Sequence, residues 1–166
     1  AVRPLVQYPD PETFEMRQYA YPANAVTPVT IYNKDLFDEM GIPYPPRDLT
    51  WSQYIDLARR MTVFDEDGGD VPSMFGGAGA SFEPILWGLG GAILNEDGTR
   101  CLLGEEPAVR AAAFLHDLYY EYGVEPSPTQ QAGVTGQGGW ASGSFFTWFA
   151  NGNLAMYIGA RWHLIQ

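Results

Sequence analysis

The side chains able to do covalent chemistry are few, and their spacing does not assemble a catalytic centre. No serine stands between glycines two positions to either side, the setting that lifts a nucleophile onto a tight strand-to-helix turn. His116 and His163 are far apart, and neither belongs to a metal-ligand pattern with Cys, Asp or Glu. Residues 65–70 read Asp-Glu-Asp-Gly-Gly-Asp, but the glycine at position six and the glutamate at position twelve of a calcium loop are missing, so a β-turn is expected. Residues 136–141, Gly-Gln-Gly-Gly-Trp-Ala, have the spacing of a dinucleotide-binding turn. The stretch before them offers Pro, Gln and Gly instead of the buried strand that motif requires, so a loop is expected.

Glu83 lies between Phe82 and Pro84, the apolar setting that keeps a glycosidase acid protonated, yet no second carboxylate accompanies it. The rival reading makes Glu83 a first-turn carboxylate favoured by the free N–H groups of a helix starting near Ser81. These residues nominate no catalytic group, no metal and no cofactor. The expectation is a binding protein and not an enzyme, with a carbohydrate-active enzyme domain using Glu83 and a protein-interaction domain as the alternatives.

Aromatic residues are the unusual resource: 5 Trp, 10 Tyr and 9 Phe, concentrated in residues 82–87, 140–149 and 157–162. Spacing assigns Trp51, Phe114, Phe145 and Phe149 to a core. Trp162 follows a strand expected over residues 154–158 and a turn at Gly159-Ala160-Arg161, which puts it at a strand's exit, where open α/β sheets bind ligands. An indole there covers the apolar face of a sugar ring while Arg161 meets hydroxyls; packing beneath a neighbouring lobe is the alternative.

The elements that must position these residues follow from pattern. Residues 1–25 carry Pro4, Pro9, Pro11 and Pro22 and read as a connector. Residues 26–32 are β-branched and aromatic and predict a strand, with Pro28 where no ladder bond is needed. A helix is expected over residues 34–40, ending at Gly41, and a second begins after Thr50 with Trp51, Tyr54, Ile55, Ala58 and Met61 on one face. Asn95-Glu96-Asp97-Gly98 predicts a turn joining residues 92–94 to 100–102. Residues 105–122 form the clearest helix, with Pro107 in the first turn, Gly123 beyond the end, and Val109, Ala112, Leu115, Tyr119 and Tyr122 as its inward stripe. Residues 124–139 read as a polar loop, functional or mobile, followed by a helix over 142–151. Helices interleaved with short strands predict an α/β domain, a small sheet flanked by helices.

The balance of 9 Lys+Arg against 20 Asp+Glu gives a formal charge of −11, which repels phosphate backbones, so nucleic acid is not an expected partner. No apolar run approaches the ~18 residues of a membrane span. The lone Cys101 excludes an internal disulfide.

Four stretches resemble the periplasmic sugar-binding proteins of ABC importers, the group that includes maltose-binding protein. Tyr21-Pro22 with Val29-Thr30-Ile31-Tyr32-Asn33-Lys34-Asp35-Leu36-Phe37 is similar to that family's inter-lobe crossing segment and following helix start. Leu49-Thr50-Trp51-Ser52-Gln53-Tyr54 is similar to a helix opening, and Gly90-Gly91-Ala92-Ile93-Leu94 to a double-glycine turn. Residues 149–162, Phe-Ala-Asn-Gly-Asn-Leu-Ala-Met-Tyr-Ile-Gly-Ala-Arg-Trp, resemble the family's segment ending in tryptophan.

The resemblance implies one lobe of a type II periplasmic-binding-protein fold, whose two lobes close on a ligand. Residues 1–25 would be the connector or inter-lobe crossing segment, and residues 26–166 the incomplete second lobe, so that weak binding is expected of this chain alone. The expected partners are a small ligand of the sugar class, permease subunits of an ABC importer and the missing lobe of the same receptor. The expected location is periplasmic or extracellular, with a lipid anchor left open. Trp162 matches a tryptophan that stacks on sugar, Phe82 and Trp87 lie where further cleft aromatics arise, and Asn24 takes the place of a polar ligand contact. Arg161 departs from the proline of the maltose-binding group and leaves the ligand's identity open.

Overall fold

A computed structural model describes residues 7–21, 27–65, 69, 71–134 and 144–160. Backbone contacts divide the chain into two units, Ala1–Val29 with Ala160–Gln166, and Thr30–Gly159.

In the first unit, β1 (Gln7–Pro9) and β2 (Met16–Gln18) form an antiparallel hairpin with Tyr8 opposite Arg17. Asp10 nucleates the turn: its carboxylate accepts from the amides of Glu12 and Thr13, each at 3.0 Å, and pairs with Arg17 at 3.0 Å. Those amides, Thr13 foremost, hold its carboxyl below the usual range.

The second unit contains the remaining elements. β3 (Val29–Tyr32), whose first residue belongs to the other unit, leads into α1 (Lys34–Glu39). Asn33 caps α1 by accepting from the amides of Asp35 and Leu36, and Gly41 follows with φ +64°. α2 (Trp51–Met61) opens on a reciprocal capping box between Thr50 and Gln53 and buries Tyr54, Leu57, Ala58 and Met61. α3 (Phe82–Gly88) and α4 (Glu106–Tyr120) pack against each other, and between them a tight turn at residues 95–98 closes on a single bridge between Leu94 and Cys101. α5 (Pro128–Val134), α6 (Ser144–Ala150) and β4 (Met156–Gly159) complete the order.

β3 pairs with β4. Residues 75–78 run alongside β4 in parallel, beginning with the bridge of Phe75 to Leu154 and ending where the Ile158 amide donates to the Ala78 carbonyl at 2.8 Å. The main core gathers Phe37, Tyr54, Ala58, Met61, Ile85, Leu86, Ala111, Leu118 and Met156. A smaller cluster joins Phe75, Ala78, Leu154 and Tyr157, against which Phe145, Trp148 and Phe149 pack half-buried.

The small sheet with flanking helices is the α/β arrangement expected. Two local expectations are corrected. The inward stripe of α4 runs through Ala108, Ala111 and Leu118; Val109 and Ala112 face outward, while Leu115, Tyr119 and Tyr122 are half-buried. The cause is close packing: the fully buried Leu86 of α3 lies in the same cluster as these alanines, so the helix turns its small side chains to the neighbour. Residues 124–127 are buried and residues 128–134 are helical, so this half of the expected polar loop is part of the packed structure. The acidic turn at residues 65–70 and the glycine-rich stretch at residues 136–141 lie largely or wholly outside the described residues.

Candidate functional site

The parallel run of residues 75–78 beside β4 gives two segments the same exit edge. Beyond Ala78 the chain continues through Gly79 and Ala80 to Ser81, which precedes α3 in extended conformation and makes no side-chain capping bond. Residues 76–81 read Gly-Gly-Ala-Gly-Ala-Ser, so this edge is bordered almost wholly by main chain. In α/β sheets the carboxyl ends of parallel strands are where ligands settle.

Close approach explains the glycines. A Cβ on Gly76 would collide with the backbone of Ala58 in α2, while Gly79 has φ +90° and its missing Cβ would meet the Ile158 carbonyl. The segment is then tied down by bonds from several elements. The Gly76 amide donates to Thr62 Oγ1 at 3.1 Å and the Gly77 amide to the Val124 carbonyl at 3.0 Å.

The remaining tie is a carboxyl group. Glu125 is 1% exposed, and its Oε2 accepts from the Ala80 amide at 3.1 Å while Oε1 accepts from Tyr54 Oη at 2.6 Å. The Gly79 amide also favours its ionised form. No ion pair among the described residues includes Glu125. Burial therefore outweighs these hydrogen bonds and raises its pKa to about 7. Burial, followed by the neighbouring Glu125 charge, holds the Tyr54 phenol well above its ordinary value. The position of Glu125 is itself fixed by its neighbours, for Ser127 donates its amide to Gln130 Oε1 at 2.7 Å and Gln131 donates to the Pro126 carbonyl at 2.7 Å.

Of the residues nominated from sequence, Phe82 begins α3 beside the segment and is half-buried against the core. Trp87 is 62% exposed near the other end of the same helix. They stand five positions apart in the helix, about 140° around the axis, so they occupy different faces. Trp162, Arg161 and Asn24 lie outside the described residues. Glu83 is exposed in the first turn of α3, so the apolar setting of a protonated acid is absent there. The carboxyl group that does have such a setting is Glu125, which the sequence reading passed over. Its Glu-Pro-Ser context looks like a loop, and its partners lie 71 and 45 residues away.

A separate hollow of about 330 Å³ is lined by Trp51, Ile85, Leu89 and Phe114 with Arg110 and Asp117 at its margin. Another, of about 310 Å³, is lined by Phe75, Trp148, Gln130 and Asn153. Neither includes Phe82 or Trp87. Among the described residues no helix is long and apolar enough to cross a membrane, and no cluster of His, Cys, Asp or Glu has the makings of a metal site.

A putative binding protein of Brucella abortus is 31% identical over 130 residues, covering 74% of this chain and 29% of its own length. An ABC substrate-binding protein from Listeria monocytogenes, solved in complex with cycloalternan, is 30% identical and superposes with a TM-score of 0.66 over 82% of this chain and 32% of its own. A maltose/maltodextrin-binding domain from Bdellovibrio bacteriovorus bound to maltotriose, 21% identical, shares the fold with a TM-score of 0.59 over 81% of this chain and 32% of its own. The chain thus spans about a third of the length of these relatives, and the two solved ones carry the two-lobe periplasmic-binding-protein fold. The profile of bacterial extracellular solute-binding proteins matches residues 2–164, and the chain belongs to that family.

Proposed function

We propose that this chain supplies one lobe of the substrate-binding component of an ABC importer, and that the ligand is a sugar or oligosaccharide taken in a cleft between this lobe and a second one. The observation that carries the reading is the Listeria protein, 30% identical and solved with a bound carbohydrate. On this reading residues 26–166 belong to the second lobe, residues 1–25 connect the lobes, and the receptor works outside the cytoplasm beside its permease.

Within the cleft, Trp162 stacks on the apolar face of a sugar ring and Arg161 meets its hydroxyls or an acidic substituent. Phe82, Trp87 and Asn24 supply further contacts. Phe82 supports its own part of this reading, because the half-buried ring begins α3 directly after residues 76–81, a stretch that is almost all main chain. Such a mixture of flat apolar surface and sparse polar groups suits a carbohydrate.

Calorimetry on the full-length protein against maltotriose, cycloalternan and a panel of monosaccharides tests the reading. Binding of at least one sugar, lost in Trp162→Ala, is the expected result. Silence across all sugars together with binding of amino acids or peptides overturns it.

A further inference from the structure

The hollow of about 310 Å³ lies at the end of the sheet away from the proposed ligand edge. Phe75 opens the run of residues 75–78, and Asn153 stands just ahead of Leu154, the residue that pairs with Phe75. Ala78 and Ile158 close the same run about 10 Å away, three steps of ~3.3 Å along an extended chain. Main-chain bonds hold the walls in place. The Phe75 amide donates to the Asn153 carbonyl at 3.0 Å, and the Asn153 amide donates to the Trp148 carbonyl at 2.8 Å, closing the turn between α6 and β4 at Gly152, where φ is +77°.

One wall is aromatic. Phe75, 4% exposed, and half-buried Trp148 stack with ring centroids 5.6 Å apart and planes 6° from parallel. The polar groups include two amides whose partners fix which way each is turned: Gln130 Oε1 accepts from the Ser127 amide at 2.7 Å, and Asn153 Nδ2 donates to the Ser73 carbonyl at 3.1 Å. That leaves a donor, Gln130 Nε2, and an acceptor, Asn153 Oδ1, engaged by no other described residue. No side chain lining the hollow is ionisable, in a chain whose formal charge is −11.

We infer that this hollow is a second carbohydrate site, separate from the cleft, that takes one neutral pyranose-sized ring. A charged ligand would find no counter-ion here, and a wholly apolar one would cover the two amide groups without bonding them. A neutral ring with an apolar face and hydroxyls at its rim meets both conditions: the face lies along the indole, while hydroxyls accept from Gln130 and donate to Asn153. Small-molecule sites span roughly 300–1,000 Å³, so this volume suits a single sugar unit and not a chain of them. The bonds joining Phe75, Asn153 and Trp148 order the wall before a ligand arrives, which lowers the cost of binding. The site shares no residue with the proposed cleft contacts, so it stands whether or not the cleft takes a sugar.

The test is an NMR titration of the full-length protein and of its Trp162→Ala variant with glucose and with maltotriose, following the Trp148 indole N–H and the side-chain amides of Gln130 and Asn153. These signals are expected to move along one saturating curve with a Kd on the order of 1 mM, the same in both proteins, while the Trp51 indole in the other hollow stays in place. Trp148→Leu keeps apolar bulk against Phe75 but removes the flat face, and should weaken binding about tenfold; Gln130→Ala should weaken it about fivefold. If Trp148→Leu does not fold, Gln130→Ala decides alone. Signals that stay still well above the expected Kd overturn the inference, including the case in which another part of the receptor covers the hollow. Shifts that vanish in Trp162→Ala overturn it too, because they report the cleft, and so does an affinity that the variants leave unchanged. Movement of these signals with no binding at the cleft supports the second site and counts against the cleft reading only.

Discussion

Tyr54 of α2 donates its phenolic proton to Glu125 across 2.6 Å, and the two residues are 71 positions apart in the chain. Both are buried, at 2% and 1% exposure, so the bond is made away from water and links α2 to the connection between α4 and α5. The Ala80 amide joins the same carboxyl group. One acidic side chain thereby unites a helix, the α4–α5 connection and the segment leading to α3.

The first prediction concerns stability against pH. The Glu125 pKa is raised from 4.5 to about 7, so between those values the folded chain holds a proton that the unfolded chain has released. Its contribution is fully present below 4.5 and is lost as pH rises through about 7, amounting to roughly 3 kcal/mol. Urea denaturation of wild type and Glu125→Gln at about pH 5 and about pH 8 checks this: the wild type's advantage should shrink toward the higher pH.

Gly76→Ala tests the close approach to α2. The new methyl group would meet the Ala58 backbone, which cannot rotate away as a side chain can, so a loss of about 2–4 kcal/mol is expected in chemical denaturation. A loss no larger than that of an exposed Gly→Ala change, such as Gly104→Ala, contradicts the packing described.

Thr50→Ala removes the hydroxyl that accepts from the Gln53 amide at 3.3 Å and dismantles the capping box. The expected cost is about 1 kcal/mol, read as a lower urea midpoint, with partial recovery in Thr50→Ser.

Trp87→Ala separates surface from site. With 62% of Trp87 exposed, stability should move by no more than about 0.5 kcal/mol. A weaker sugar affinity with unchanged stability assigns the ring to ligand contact, and unchanged affinity removes it from the proposed site.

Elements whose boundaries are marked by local chemistry were legible in the sequence. Thr50 and Gln53, Pro107 and Gly123, and the Asn95–Gly98 turn each state their role within a few residues, and the structure uses all of them. What depended on distant partners was not legible. The large apolar residues of α4 suggest a stripe through Val109 and Leu115, whereas Ala108 and Ala111 face inward because α3 lies against them. Residues 75–78 carry too few β-branched side chains to announce a strand, and only the main chain of β4 makes them run as one. Glu125 stands among prolines and serine in a stretch with every mark of a surface loop. Nothing nearby signals that Tyr54 and Ala80 will enclose it.

The segment at residues 76–81 limits how this fold can diversify. With almost no side chains to alter, and with Gly76 and Gly79 hemmed in by neighbouring backbone, it has little freedom to acquire new chemistry without disturbing its own packing. On the proposed reading, new ligand preferences would therefore arise in the residues bordering it and not in the glycine-rich stretch itself.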